Sequence, residues 1–96
     1  MIFFLYLGSK MDRQEIISKF EEIKKIDSIS LRTIWREAVS IVDNLKDMIS
    51  QDLHERLKIE LQCIYYEIIY GGNENDRKIV RDDFISVVDE VIAELS

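Results

Sequence analysis

The chain has 96 residues, of which 47% are hydrophobic and 33% charged, with three glycines and no proline. That length suits a single hydrophobic core, and the composition is that of a folded domain rather than of a disordered tail. A formal charge of −6 opposes phosphate backbones and anionic lipid surfaces, which are bound through an excess of Lys and Arg, so neither nucleic acid nor a membrane is an expected partner.

The opening Met1-Ile2-Phe3-Phe4-Leu5-Tyr6-Leu7 is apolar for seven residues, against the about 20 that a membrane-spanning helix needs, and no basic stretch precedes it as in a signal peptide. Residues 1–10 read as an apolar N-terminal arm: a start-site extension, a docked edge segment or a sticky arm. Asp12-Arg13-Gln14-Glu15 has the spacing of a capping box and predicts a helix start. Ile16, Ile17, Phe20, Ile23 and Ile26 then share one face, with Lys19, Glu22 and Lys25 opposite, and Asp27-Ser28 ends the segment.

Ser28 or Ser30 can cap a second helix, in which Leu31, Ile34, Ala38, Ile41, Leu45 and Met48 recur at steps of three and four. Trp35, Val39, Val42 and Ile49 widen its apolar sector, which places it at the centre of a bundle between two or more neighbours. Asp52-Leu53-His54-Glu55 repeats the capping-box spacing and opens a third helix carrying Leu53, Leu57, Leu61, Ile64, Ile68 and Ile69 inward. A continuous rod over residues 30–70 is the alternative, but its length is far from the usual mean of about 11 to 12, so two helices joined by a tight corner are expected. Gly71-Gly72 stops the third helix in the left-handed conformation open to glycine. After a loop capped by Asn73 or Asn75, Val80, Phe84, Val87, Val88, Val91 and Leu95 line a fourth. The fold class is therefore all-α, a compact antiparallel bundle of about four helices forming one domain over 1–96.

Chemistry finds few residues to stand on. Cys63 is the one cysteine and His54 the one histidine, too few for a closed structural zinc site. At about 100° per residue their separation puts them on opposite sides of a helix, so they do not make a thiol–imidazole pair. Cys63 reads as a small buried filler and His54 as an exposed first-turn residue. A lone cysteine rules out an internal disulfide framework and suits a reducing, cytoplasmic setting. Asp43 and Asp47 share a helix face, but clustered acids on helices are ordinarily a solvated surface. No phosphate-binding glycine loop, calcium loop or Glu-x-x-His pair is present. The expectation is a protein without catalysis, cofactor or metal.

What remains is surface. Trp35 with Arg32 and Arg36 offers the residue types that dominate protein interfaces, although Trp35 borders the central seam and reads first as core. Tyr66 and Tyr70 lie one turn apart beside the glycine pair, and Asp82, Asp83, Asp89 and Glu90 make the last helix acidic. The run Ile64-Tyr65-Tyr66, followed by acids and a final helix, resembles a short stretch of the small acidic immunity proteins that neutralise nuclease bacteriocins. The proline and serine those proteins place after the tyrosine pair are absent here, and no residue role is carried over. Small size, acidity and the lack of chemistry give the leading expectation: a module that inhibits or regulates a protein partner, plausibly a basic one, of the immunity, antidote or anti-defence kind. The alternative is a self-associating structural protein, such as a homodimer, that buries the wide apolar sector of the second helix and the N-terminal arm.

Overall fold

The computed structural model describes residues 11–96; the expectations for the arm at 1–10 lie outside them. Four α-helices follow in order: α1 Arg13–Ile23, α2 Leu31–Val42, α3 Gln51–Tyr70 and α4 Glu74–Leu95. Short 3-10 turns at Ser28–Ser30 and Asp43–Leu45 flank α2. All the described residues that fold regularly are helical, as the periodicity predicts.

Each start has a local cause. At α1 the capping box is complete: the Glu15 amide donates to Asp12 Oδ1 at 2.8 Å and the Asp12 amide to Glu15 Oε1 at 3.3 Å. α1 ends before Asp27, whose side chain instead accepts from the Ile29 amide and caps the 3-10 turn; Ser30 precedes α2 without a side-chain cap bond. At α3 the predicted box is displaced. Ser50 is the cap, accepting from the Leu53 amide at 3.2 Å, and Asp52 falls in the first turn, where its charge still suits the helix dipole. At α4 the Asn73 side chain accepts from the Asn75 and Asp76 amides at 2.8 and 3.1 Å. The glycine stop holds by a different route: Gly71 has φ −83° and ψ −165°, an extended rather than left-handed residue. Glycine is needed there for space, since a Cβ would lie 2.6 Å from the Glu67 backbone carbonyl oxygen and run into the Glu67 carboxylate.

Neighbouring helices meet as α1–α2, α2–α3, α3–α4 and α4–α1. This closes a four-cornered ring in which α2 is a corner rather than the centre; its wide apolar sector is shared between α1 and α3. The α2–α3 and α3–α4 pairs are antiparallel: Val42 meets His54 and Trp35 meets Tyr65 across the first, while Ser50 meets Glu94 and Arg56 meets Glu90 across the second. Ile16, Phe20, Ile34, Ala38, Ile41, Leu45, Leu57, Ile64, Phe84, Val88 and Val91 are fully buried in one core. Ile17, Ile26, Met48, Ile68 and Val80 are half-buried at its margin. Ile69, expected inward, is 47% exposed, because the phase of the Leu57, Leu61 and Ile64 stripe turns it toward the α2 edge.

Two further expectations are reversed. His54 is buried, and its Nε2 lies 3.0 Å from the Val42 carbonyl oxygen. A carbonyl only accepts, so Nε2 donates and ties the end of α2 to the start of α3. Cys63 is exposed rather than a core filler, lying on the side of α3 away from Leu61 and Ile64.

Candidate docking surface

α3 carries two stripes. Leu57, Leu61 and Ile64 face the core; Ile59, Cys63, Tyr66 and Tyr70, spaced four, three and four residues apart, face away from it. The second stripe is the unusual one, because an outward helix face is ordinarily charged. Ile59 is 54% exposed, Tyr66 53% and Tyr70 78%.

The aromatic rings form a continuous ladder. Trp35 of α2 is half-buried, with its ring centroid 5.4 Å from that of Tyr65. Tyr65 meets Tyr66 edge-on at 6.3 Å, and Tyr66 stacks on Tyr70 at 6.1 Å. These separations lie within the favourable range for aromatic pairs, so the ladder is held in place before anything binds. Trp35 thus serves both roles, one edge against the core and the other at the head of the ladder.

Among the described residues eight large apolar side chains are exposed, and their placement is lopsided. Ile59, Tyr65, Tyr66, Ile69 and Tyr70 are on α3. Val39, one turn after Trp35, extends the α2 edge. Ile79, eleven residues before Glu90 and so on the same side of α4, extends the α4 edge. Only Ile29 stands apart, in the 3-10 turn before α2. Arg32 and Arg36 are exposed on α2, Arg32 one turn before Trp35.

The acids of α4 do not form one face. Asp82 and Asp89 are turned toward α1: Asp89 accepts from Lys24 Nζ at 2.7 Å, and Asp82 from Arg81 at 3.0 Å. Asp83 and Glu90 are turned toward α3, where Glu90 takes both Nη groups of Arg56 at 2.9 and 2.6 Å. The paired guanidinium holds the Glu90 carboxyl below its usual range, and the Asp89 hydrogen bond raises the Lys24 ammonium. Asp83 makes no ion pair, and neither does Glu60 opposite it on α3, among the described residues. Burial, then the Asp83 charge, pushes the Glu60 carboxyl up against the opposing charge of Arg56.

Cys63 lies against that carboxylate pair. Partial burial and then the Glu60 and Asp83 charges push its thiol up, which disfavours the thiolate and with it a nucleophilic role. His54 is turned into the α2–α3 corner nine residues away, so the two do not pair. Among the described residues no three His, Cys, Asp or Glu side chains are gathered as a metal site, and no helix is long and apolar enough to cross a membrane. A cleft of about 610 Å³ between the α1–α2 connection and α4 is lined by Lys25, Asp27, Lys78, Arg81 and Asp82 among others. Its charges alternate, and Arg81 is committed to backbone carbonyls of Lys24 and Ile26.

No family model, curated protein or solved structure matches the chain. The site therefore rests on its own geometry. Of the residues singled out in the sequence, Trp35, Tyr66 and Tyr70 come together with Arg32 nearby, whereas three of the four α4 acids are already engaged in ion pairs. Sequence reasoning passed over Ile59 and Ile79, and met Val39 only as part of the second helix's apolar sector and Tyr65 only in the run Ile64-Tyr65-Tyr66. The signal was present in the second α3 stripe, out of phase with the core stripe.

Proposed function

We propose that this chain is a non-enzymatic, cytoplasmic protein-binding module that inhibits or regulates a partner, of the immunity, antidote or anti-defence kind, and that it docks through the outer face of α3 and its two edges. The observation that carries this reading is the exposed aromatic ladder from Trp35 through Tyr65 and Tyr66 to Tyr70. Exposed apolar surface is costly to maintain, and grouped aromatics with few rotamers to freeze are the residues that supply most interface energy. Nothing within the described bundle covers them. The surface on α1 and the far side of α4 is charged, with Lys24–Asp89, Lys25–Glu22 and Arg81–Asp82 paired within it.

A photo-crosslinking residue in place of Gln62, within the face, tests the reading against the same residue at Ser40, exposed on α2 on the side away from α3. The Gln62 probe is expected to give a discrete heterologous conjugate in lysate of the source cells that disappears when Tyr66 and Tyr70 are both changed to Ala. Equal labelling from both positions, or persistence of the conjugate in the double variant, overturns it. A conjugate of the chain with itself alone would assign the face to self-association instead.

A further inference from the structure

The docking reading leaves the partner's chemistry open, and the α4 edge of the face narrows it. Glu60 and Asp83 stand on facing sides of the α3–α4 seam, close enough for the Asp83 charge to act on Glu60, and among the described residues neither makes an ion pair. Arg56, the nearest base, spends both Nη groups on Glu90. Lys58, the other base of α3, reaches back to Glu55 at 3.3 Å. Two neighbouring carboxylates, one of them partly withdrawn from water, oppose folding, and such local cost is characteristic of surfaces kept for binding. One helical step away stand Cys63 and then Tyr66 and Tyr70, whose ring faces also attract cations.

We propose that the α3 face receives a cationic amphipathic helix of a partner protein, its apolar side lying along Ile59, Tyr66 and Tyr70 and a Lys or Arg of its flank seated between Glu60 and Asp83. This rests on the docking reading above and adds the sign of the partner. Charge complementarity decides against a second copy: two chains of formal charge −6 repel, and pairing α3 with itself supplies no free base from α3 to either carboxylate pair. A helix is the occupant because the receiving stripe is linear and extends over about three turns, the arrangement that accepts i, i+3, i+4 and i+7 anchors.

The experiment titrates the isotope-labelled full chain with two synthetic helical peptides of about five turns, identical in their Leu/Phe face, one flanked by Lys and the other by Glu. The Lys peptide is expected to bind saturably, with amide shifts confined to residues 59–70 and 79–86, and about tenfold more tightly than the Glu peptide. The double variant Glu60→Gln, Asp83→Asn should remove most of that preference with unchanged circular dichroism, whereas Asp47→Asn, in the α2–α3 corner, should not. If both peptides bind this face equally well, the cationic requirement is overturned and the docking reading stands. If the shifts lie elsewhere, or Tyr66→Ala with Tyr70→Ala leaves the Lys peptide bound, both fall. A stable dimer in sedimentation, with Cys63 protected from alkylation, gives the face to a second copy and overturns the proposal.

Discussion

Changing Arg81 to Met should unfasten α1 from the bundle while leaving most of the side-chain stem in place. α1 has 11 residues and no basic side chain in its last turn; the turn that follows takes the carbonyls of Phe20, Glu22 and Ile23, but those of Lys24 and Ile26 just beyond it, at the negative end of the helix, need a donor from elsewhere. Arg81, reaching across from α4, supplies one: Nε donates to the Ile26 carbonyl at 2.8 Å and Nη2 to the Lys24 carbonyl at 2.7 Å. The side chain is only 22% exposed, so water replaces these bonds poorly. Hydrogen bonds from a charged donor contribute about 1.5–3 kcal/mol each in net terms and are not additive here, so a loss of roughly 2–4 kcal/mol is expected. For a domain of this size that lowers Tm by roughly 10 to 20 °C. Urea unfolding followed by circular dichroism measures the global loss, and hydrogen exchange at residues 16–24 measures the local one, since an isolated helix this short is marginal. Arg81→Lys should recover part of the loss, having one flexible ammonium in place of a planar fork. A cost of Arg81→Met below about 0.5 kcal/mol, with unchanged exchange in α1, would refute the clamp.

The remaining predictions concern the helix ends and the charged seam. Ser50→Ala should cost about 1 kcal/mol in urea unfolding and Asp52→Ala a few tenths, the reverse of what a capping box at Asp52 requires. Gly71→Ala should destabilise because the new methyl meets the Glu67 backbone, whereas Gly72→Ala, which meets nothing within 4 Å, should be neutral or slightly stabilising. Glu60 has a raised folded-state pKa, so its unfavourable contribution is absent when protonated, develops as pH rises through the ordinary carboxylate range, and is complete above the folded value. Glu60→Gln should therefore stabilise at pH 7 and lose that advantage at pH 3, as read by parallel thermal melts. Glu90 has a lowered one, so Glu90→Gln should destabilise at neutral pH, with the difference closing as acid titrates the wild-type carboxylate.

The bundle was legible because burial is periodic: Leu57, Leu61 and Ile64, or Phe84, Val88 and Val91, occupy the buried positions their spacing assigns. Caps at Asp12 and Asn73 were equally plain, since each needs only its own short segment. What escaped depends on contacts between segments. His54 looks like an exposed first-turn residue until the α2–α3 corner brings the Val42 carbonyl to it, and Cys63 looks like core until the phase of α3 is fixed by Leu61 and Ile64. Ser50 takes the cap from Asp52 because the chain leaves the corner two residues sooner than the motif indicates. The acids of α4 read as one surface on a helical wheel, but neighbours on both sides divide them, Lys24 of α1 taking Asp89 and Arg56 of α3 taking Glu90. The aromatic ladder needed three dimensions as well, because Trp35 joins the tyrosines only once α2 lies antiparallel to α3.

The ring order of the helices sets α1 diagonally across from α3, which gives the molecule a natural handle. A fluorophore or surface linkage carried at Ser18, exposed on the outer face of α1, emerges on the side remote from the tyrosines, so the chain can be immobilised there with its aromatic side presented to solution. Attachment on the loop around Gly72 would instead crowd Tyr70, and a sensor built that way should lose signal that the α1-linked version retains.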